Sequence, residues 1–146
     1  MAEVKRIAAG LDDSIQGLRD RTLLLVWFMT ALRRSEVAEM EVSSLVWENA
    51  GLRIKIPESK TDRFRVGQAG FVSRAEVELR PVESLDTWLE AAQISDGPIW
   101  RWVHASGKVM PYGLSGRGLA QTIKRLVATI GLDARTSMAI RCGSAL

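Results

Sequence analysis

From Leu23 to Met29 every residue is apolar, so a helix through this stretch has no wetted face and must be wrapped by other elements. The run is bracketed by Arg21 and Arg33, well short of the roughly 20 apolar residues that a membrane span requires. It reads as the central core helix. A helix buried on all sides that delivers an arginine at its end ties that guanidinium to a rigid scaffold, from which it can grip a phosphate through paired N–H donors. Ser35 is expected to cap a short following helix with Glu36 in its first turn, so the chain breaks between Thr30 and Ser35. Arg33 and Glu36, three residues apart, then share one face of a turn. Taken alone, Arg33 and Arg34 also read as surface arginines favoured by a helix C-terminus.

The rest of the pattern falls around this helix. Val4 to Leu11 has helical spacing, and Asp12, Asp13 and Ser14 supply turn and cap chemistry before the core helix begins near Gly17 or Leu18. After a short helix from Ser35 to about Val42 the period changes. Leu45 to Trp47 reads as a strand, Glu48 to Gly51 as a turn, and Leu52, Ile54 and Ile56 alternate with Arg53 and Lys55 as a half-buried strand with a positive outer face. Pro57 ends that strand, Glu58 to Arg65 forms a polar, mostly basic turn carrying Lys60, and a third strand is expected around Phe71 and Val72. Pro81 stands where a helix would start, with Val82, Leu85, Trp88 and Leu89 on one face. Residues 97–116, which hold His104, Tyr112, Trp100 and Trp102, read mostly as a surface connection. From Ser115 an amphipathic helix follows, with Leu119, Ile123, Leu126, Val127 and Ile130 on one side, Lys124 and Arg125 on another, and Gly131 as its stop. Thr136 or Ser137 caps a last helix carrying Met138, Ile140 and Arg141. The elements predict a single domain of α+β class, mainly helical, with a small three-stranded antiparallel sheet packed on a helical bundle.

Composition changes this picture little. The 146 residues are 47% hydrophobic and 25% charged, enough for a real core. A formal net charge of +3 is compatible with nucleic acid as a partner without demanding it. The single cysteine, Cys142, makes no internal disulfide, and no signal peptide is recognisable at the N-terminus, so a reducing cytoplasm fits. The five tryptophans are expected chiefly in the core rather than as base-stacking platforms.

Arg33 after a core helix, a three-stranded sheet with a lysine in its turn, further helices and a late arginine together resemble the catalytic domain of the tyrosine recombinases, the phage integrase family. GLRDRTLLLVWFMTALRRSEVAEMEVSSL is similar to the first arginine box of that family, with Arg33 at its catalytic arginine and Glu36 at the acidic residue that supports it. ESKTD resembles the turn between the second and third strands, which puts Lys60 at the catalytic lysine. The second box, histidine, two residues, arginine, is matched in part: Arg141 is followed by Cys142 and Gly143, but Met138 stands at the histidine, and a thioether neither donates to a phosphate oxygen nor moves a proton. The nucleophilic tyrosine of the family lies beyond the second arginine, whereas Tyr112 precedes Arg141 in a segment unlike the nucleophile segment. The resemblance therefore implies a partial catalytic domain, without the nucleophile segment or the N-terminal core-binding domain, and inactive as this chain.

In the family a tyrosine attacks a DNA phosphodiester to give a 3′-phosphotyrosyl link, and a 5′-hydroxyl reverses the step, with no metal or other cofactor. The resemblance implies that Arg33 and Arg141 grip non-bridging oxygens, that Lys60 protonates the departing oxygen, and that Glu36 orients Arg33. Arg34, Arg53, Lys55, Arg63, Arg65, Lys124 and Arg125 are the expected contacts to the phosphate backbone of double-stranded DNA. Two other readings stay open: a non-catalytic DNA-binding remnant, and a protein-interaction fragment in which a partner or a second copy covers apolar surface left by missing C-terminal helices.

Overall fold

In the computed structural model the structure describes residues 2–55, 69–75, 78–129 and 131. The apolar run lies in α2 (Ile15–Thr30), where Leu23 through Trp27 are at most 1% exposed. Ser14 caps this helix through its hydroxyl, which accepts from the Gly17 N–H at 3.0 Å, so α2 starts two to three residues before the expected Gly17 or Leu18. Gly17 is needed there. A Cβ at that position would stand 2.3 Å from the Asp12 carboxylate, because the turn from α1 (Ala2–Gly10) folds back on the first turn of α2.

The helix ends at Ala31, whose left-handed backbone (φ 53°) returns its N–H to the Trp27 carbonyl. The next helix, α3 (Arg34–Ala38), corrects the expected cap: its N-cap is Arg33 rather than Ser35. The reason lies in Glu36, which occupies the third helical position and reaches back to accept the Arg33 backbone N–H at 2.8 Å. That is the acidic half of a capping box, and it sets the helix start three residues before Glu36. The helix is also shorter than the expected Ser35 to Val42. It ends at Ala38, and a 3-10 turn occupies Val42–Ser44.

The three-stranded antiparallel sheet is present, in the order β1 (Leu45–Trp47), β2 (Gly51–Lys55), β3 (Ala69–Ser73). Its register pairs Val46 with Arg53 and Arg53 with Phe71, and Leu52 with Val72. Leu52, Ile54 and Val72 are buried while Arg53, Lys55 and Phe71 face outward, as the period-2 pattern predicts. Next, α4 (Pro81–Ala91) places Val82, Leu85 and Trp88 in the core and packs on α2, where the Thr22 hydroxyl donates to the Ser84 carbonyl.

The stretch read as a surface connection is instead a second antiparallel pair, β4 (Arg101–Val103) with β5 (Val109–Gly113). Pro111 and the irregular alternation hide these strands, since proline inside a run argues against a strand. The turn between them closes through His104 and Lys108, with Gly107 at φ 92°. Finally, α5 (Gly116–Ala128) is capped by the Ser115 hydroxyl and buries Leu119, Ile123, Leu126 and Val127. Of the tryptophans, Trp27, Trp88 and Trp100 are core residues, while Trp47 and Trp102 are 43% and 45% exposed. Ile56, Pro57, the Lys60 turn with Arg63 and Arg65, Ile130, and the segment with Met138, Ile140, Arg141 and Cys142 lie outside the described residues.

Candidate functional site

Arg33 stands in extended backbone between two helices, and its seat is built from below. Trp27, fully buried in α2, donates its indole N–H to the Leu32 carbonyl at 2.9 Å. A buried indole needs an acceptor, and here that acceptor is the peptide immediately before Arg33. Leu32 itself is buried, Ala31 supplies the left-handed turn, and Glu36 holds the Arg33 N–H. The backbone of Arg33 is thus pinned on both sides while its side chain is exposed. The resemblance implies that Glu36 orients Arg33; in the fold, Glu36 holds the backbone N–H of Arg33. Within the all-apolar run Trp27 reads only as core, although a tryptophan five residues before Leu32, in the helix break, is a signal for this seat.

Arg34 is exposed and lies along the start of α5: a Cβ on Gly116 would be 3.5 Å from its Nε. Arg33 and Arg34 therefore sit at the junction of α2, α3 and the N-terminal end of α5. Arg53 and Lys55 form a separate basic face on β2. The Arg53 guanidinium lies 5.2 Å from the centre of the Phe71 ring, and its Nε donates to Glu48 at 3.2 Å. Lys55 is exposed near the end of the same strand.

Lys124 is exposed on the last turns of α5, and Arg125 has a different occupation from the one expected. It donates to Asp20 Oδ2 at 2.7 Å, and Asp20 is 1% exposed. The other oxygen of Asp20 receives two bonds from Arg19, at 3.1 and 2.8 Å, and Arg19 reaches on to the Arg101 carbonyl at 3.1 Å. This buried group ties α2, α5 and β4 together. Arg125 is an internal tie as much as a surface cation, for a physical reason: a buried carboxylate requires compensating donors. Along α5 it lies about 14 Å from Gly116, nine residues at 1.5 Å each, so the fold does not bring it to Arg33.

His104 sits in the β4–β5 turn, where its Nδ1 accepts the Ser106 N–H at 3.1 Å, and Tyr112 is 54% exposed on β5. Among the described residues no cluster of three His, Cys, Asp or Glu side chains is placed to hold a metal ion, and no helix is long and apolar enough to cross a membrane.

Comparison with known proteins places this arrangement. The XerD homolog of Selenomonas ruminantium, an integrase/recombinase, is 32% identical over 123 residues, covering 84% of this chain and 36% of that protein. Two crystal structures of the XerH site-specific recombinase, bound to difH substrate in a pre-cleavage complex and to palindromic difH substrate in a post-cleavage complex, superpose with a TM-score of 0.67 at 17% identity. They match 97% of this chain and 38% and 37% of their own. The chain thus spans little more than a third of the length of these relatives. The profile of the phage integrase family matches residues 1–145, nearly the whole sequence, and with it the helix, arginine junction and sheet described above: the chain belongs to the phage integrase family.

Proposed function

We propose that this chain forms the phosphate-gripping part of a site-specific tyrosine recombinase catalytic domain, acting on the backbone of duplex DNA. The observation that carries the reading is the seat of Arg33, held on a rigid break by Trp27 and Glu36 with its side chain at the surface. A seat of this kind fixes the point from which the side chain leaves the fold, so the guanidinium fork reaches a phosphate from a rigid base.

In the reaction, a tyrosine hydroxyl gives up its proton and attacks phosphorus. The 3′-phosphotyrosyl bond forms as the bond to the 5′-oxygen breaks, and that oxygen leaves with a proton. Attack by the 5′-hydroxyl of a second strand runs the same step backwards. Arg33 and Arg141 bind the non-bridging oxygens, on which negative charge accumulates, and Lys60 delivers the proton to the departing oxygen. Glu36 supports Arg33 through the backbone. Tyr112, the one tyrosine of the sequence, has no part in the chemistry, and Met138 cannot replace a histidine as donor or acid. By itself the 146-residue chain therefore binds DNA without joining to it.

The test is a binding titration on random-sequence duplex DNA at several salt concentrations, with a denaturing gel for covalent product. The expected result is binding that weakens with salt, is reduced in Arg33→Ala, and yields no adduct. Binding that ignores salt or survives Arg33→Ala unchanged would sink the DNA reading. An adduct abolished by Tyr112→Phe would overturn the inactive assignment.

A further inference from the structure

The outer face of the sheet carries one arginine whose orientation is built in. Arg53 occupies the middle strand, paired with Val46 on one side and Phe71 on the other. Phe71 is itself seated: a Cβ on Gly51 would stand 2.9 Å from its Cζ, so the ring fills the notch that glycine leaves on the same face of β2. Over this ring lies the Arg53 guanidinium, 5.2 Å from its centre, and Glu48 takes the Nε proton at 3.2 Å. Among the described residues the two terminal nitrogens of Arg53 have no hydrogen-bond partner, and the side chain is 48% exposed. A guanidinium stacked on an aromatic face and fixed at Nε presents its remaining edge outward as a preformed fork.

We infer that Arg53 is a phosphate contact of the DNA-bound state and that Phe71 is its positioning residue, an inference that rests on the DNA reading above. The gain from Phe71 is preorganisation. The ring holds the fork in place before the phosphate arrives, so the side chain loses less freedom on binding than a lysine or an unsupported arginine would. The charge alone would set the salt dependence; the ring would set the affinity at a given salt.

That separation makes the test specific. The affinity of the 146-residue chain for random-sequence duplex DNA is measured across a salt series for the wild type and for Arg33→Ala, Arg53→Ala, Arg53→Lys, Phe71→Leu and Phe71→Tyr, with thermal melting run in parallel. Arg53→Ala is expected to lower the slope of log affinity against log salt by about 0.9, one phosphate contact. Arg53→Lys keeps the slope and loses affinity. Phe71→Leu keeps the slope and weakens binding about threefold, while Phe71→Tyr, which retains the ring, binds as the wild type does. If Arg33→Ala weakens binding but Arg53→Ala leaves slope and affinity unchanged, this inference is wrong and the DNA reading stands. Equal affinity of Phe71→Leu and wild type removes the positioning role. If the wild type shows no salt-dependent binding, the DNA reading itself fails and the inference goes with it.

Discussion

The two ends of α2 carry the same chemistry, an arginine with a carboxylate nearby, and use it in opposite ways. At the start, Arg19 is 4% exposed and Asp20 1% exposed, and the protein itself supplies their partners: Arg19 bonds Asp20 and the Arg101 carbonyl, and Arg125 closes the other side of the carboxylate. At the end, Arg33 has its backbone fixed by Glu36 and its side chain exposed. Burying charge is costly unless every donor and acceptor is filled, so the inner group is committed to holding the fold. A charge kept at the surface costs little to maintain. Burial, rather than residue type, separates the arginine that holds the fold from the one proposed above to bind DNA.

The largest test of this contrast is Asp20→Asn, which removes the negative charge between two arginines. Because Arg19 cannot reach water, the variant should lose about 3 kcal/mol of stability in urea unfolding, with Arg125, 47% exposed, recovering part of its solvation. A loss below about 1 kcal/mol would mean that the buried group holds nothing together. Ser14→Ala, which removes the cap of α2 at the same end, should cost about 1 kcal/mol in the same assay.

At the other end, Arg33→Ala should change stability by less than about 0.5 kcal/mol, as for an exposed side chain. It should nevertheless lower DNA affinity, the reverse of the Asp20 pattern; an equal stability loss at both ends would erase the comparison. The smallest effect concerns pH. The Ser14 hydroxyl and N–H donate to Asp12 and hold its carboxyl below the usual carboxylate range. Its stabilising contribution is therefore present above that range and is lost as pH falls through the lowered value. Asp12→Asn should lower the melting temperature slightly at neutral pH, and the difference from the wild type should vanish as pH falls through the lowered value.

Much of this arrangement is legible from the order of residues. The all-apolar run marks α2, the alternation of Leu52, Arg53, Ile54 and Lys55 marks β2 with its faces assigned, Pro81 marks the start of α4, and Ser115 caps α5. These signals are local, so they survive without a structure. The β4–β5 pair is not legible, because Pro111 and a register irregularity break the period on which strand recognition depends. Nor is the start of α3. Ser35 is the better cap by residue type, but the Glu36 side chain reaching back to Arg33 outweighs it.

Sequence by itself pointed to the family, through the resemblance of its motifs, and determined the core helix that leads to Arg33 and the basic outer face of the sheet, which follow from a run of adjacent residues and from periodicity. Only the tertiary structure decided what each charge is for. Asp20 and Arg125 are 105 positions apart and meet at 2.7 Å; Arg53 and Phe71 come together only because two strands pair in one register; and the Trp27 indole finds the Leu32 carbonyl because the helix stops at Ala31. Partners remote in sequence, or set by where a helix ends, leave no periodic trace, and the cost of burying an unpaired charge or donor is assessed only when the chain has folded around it.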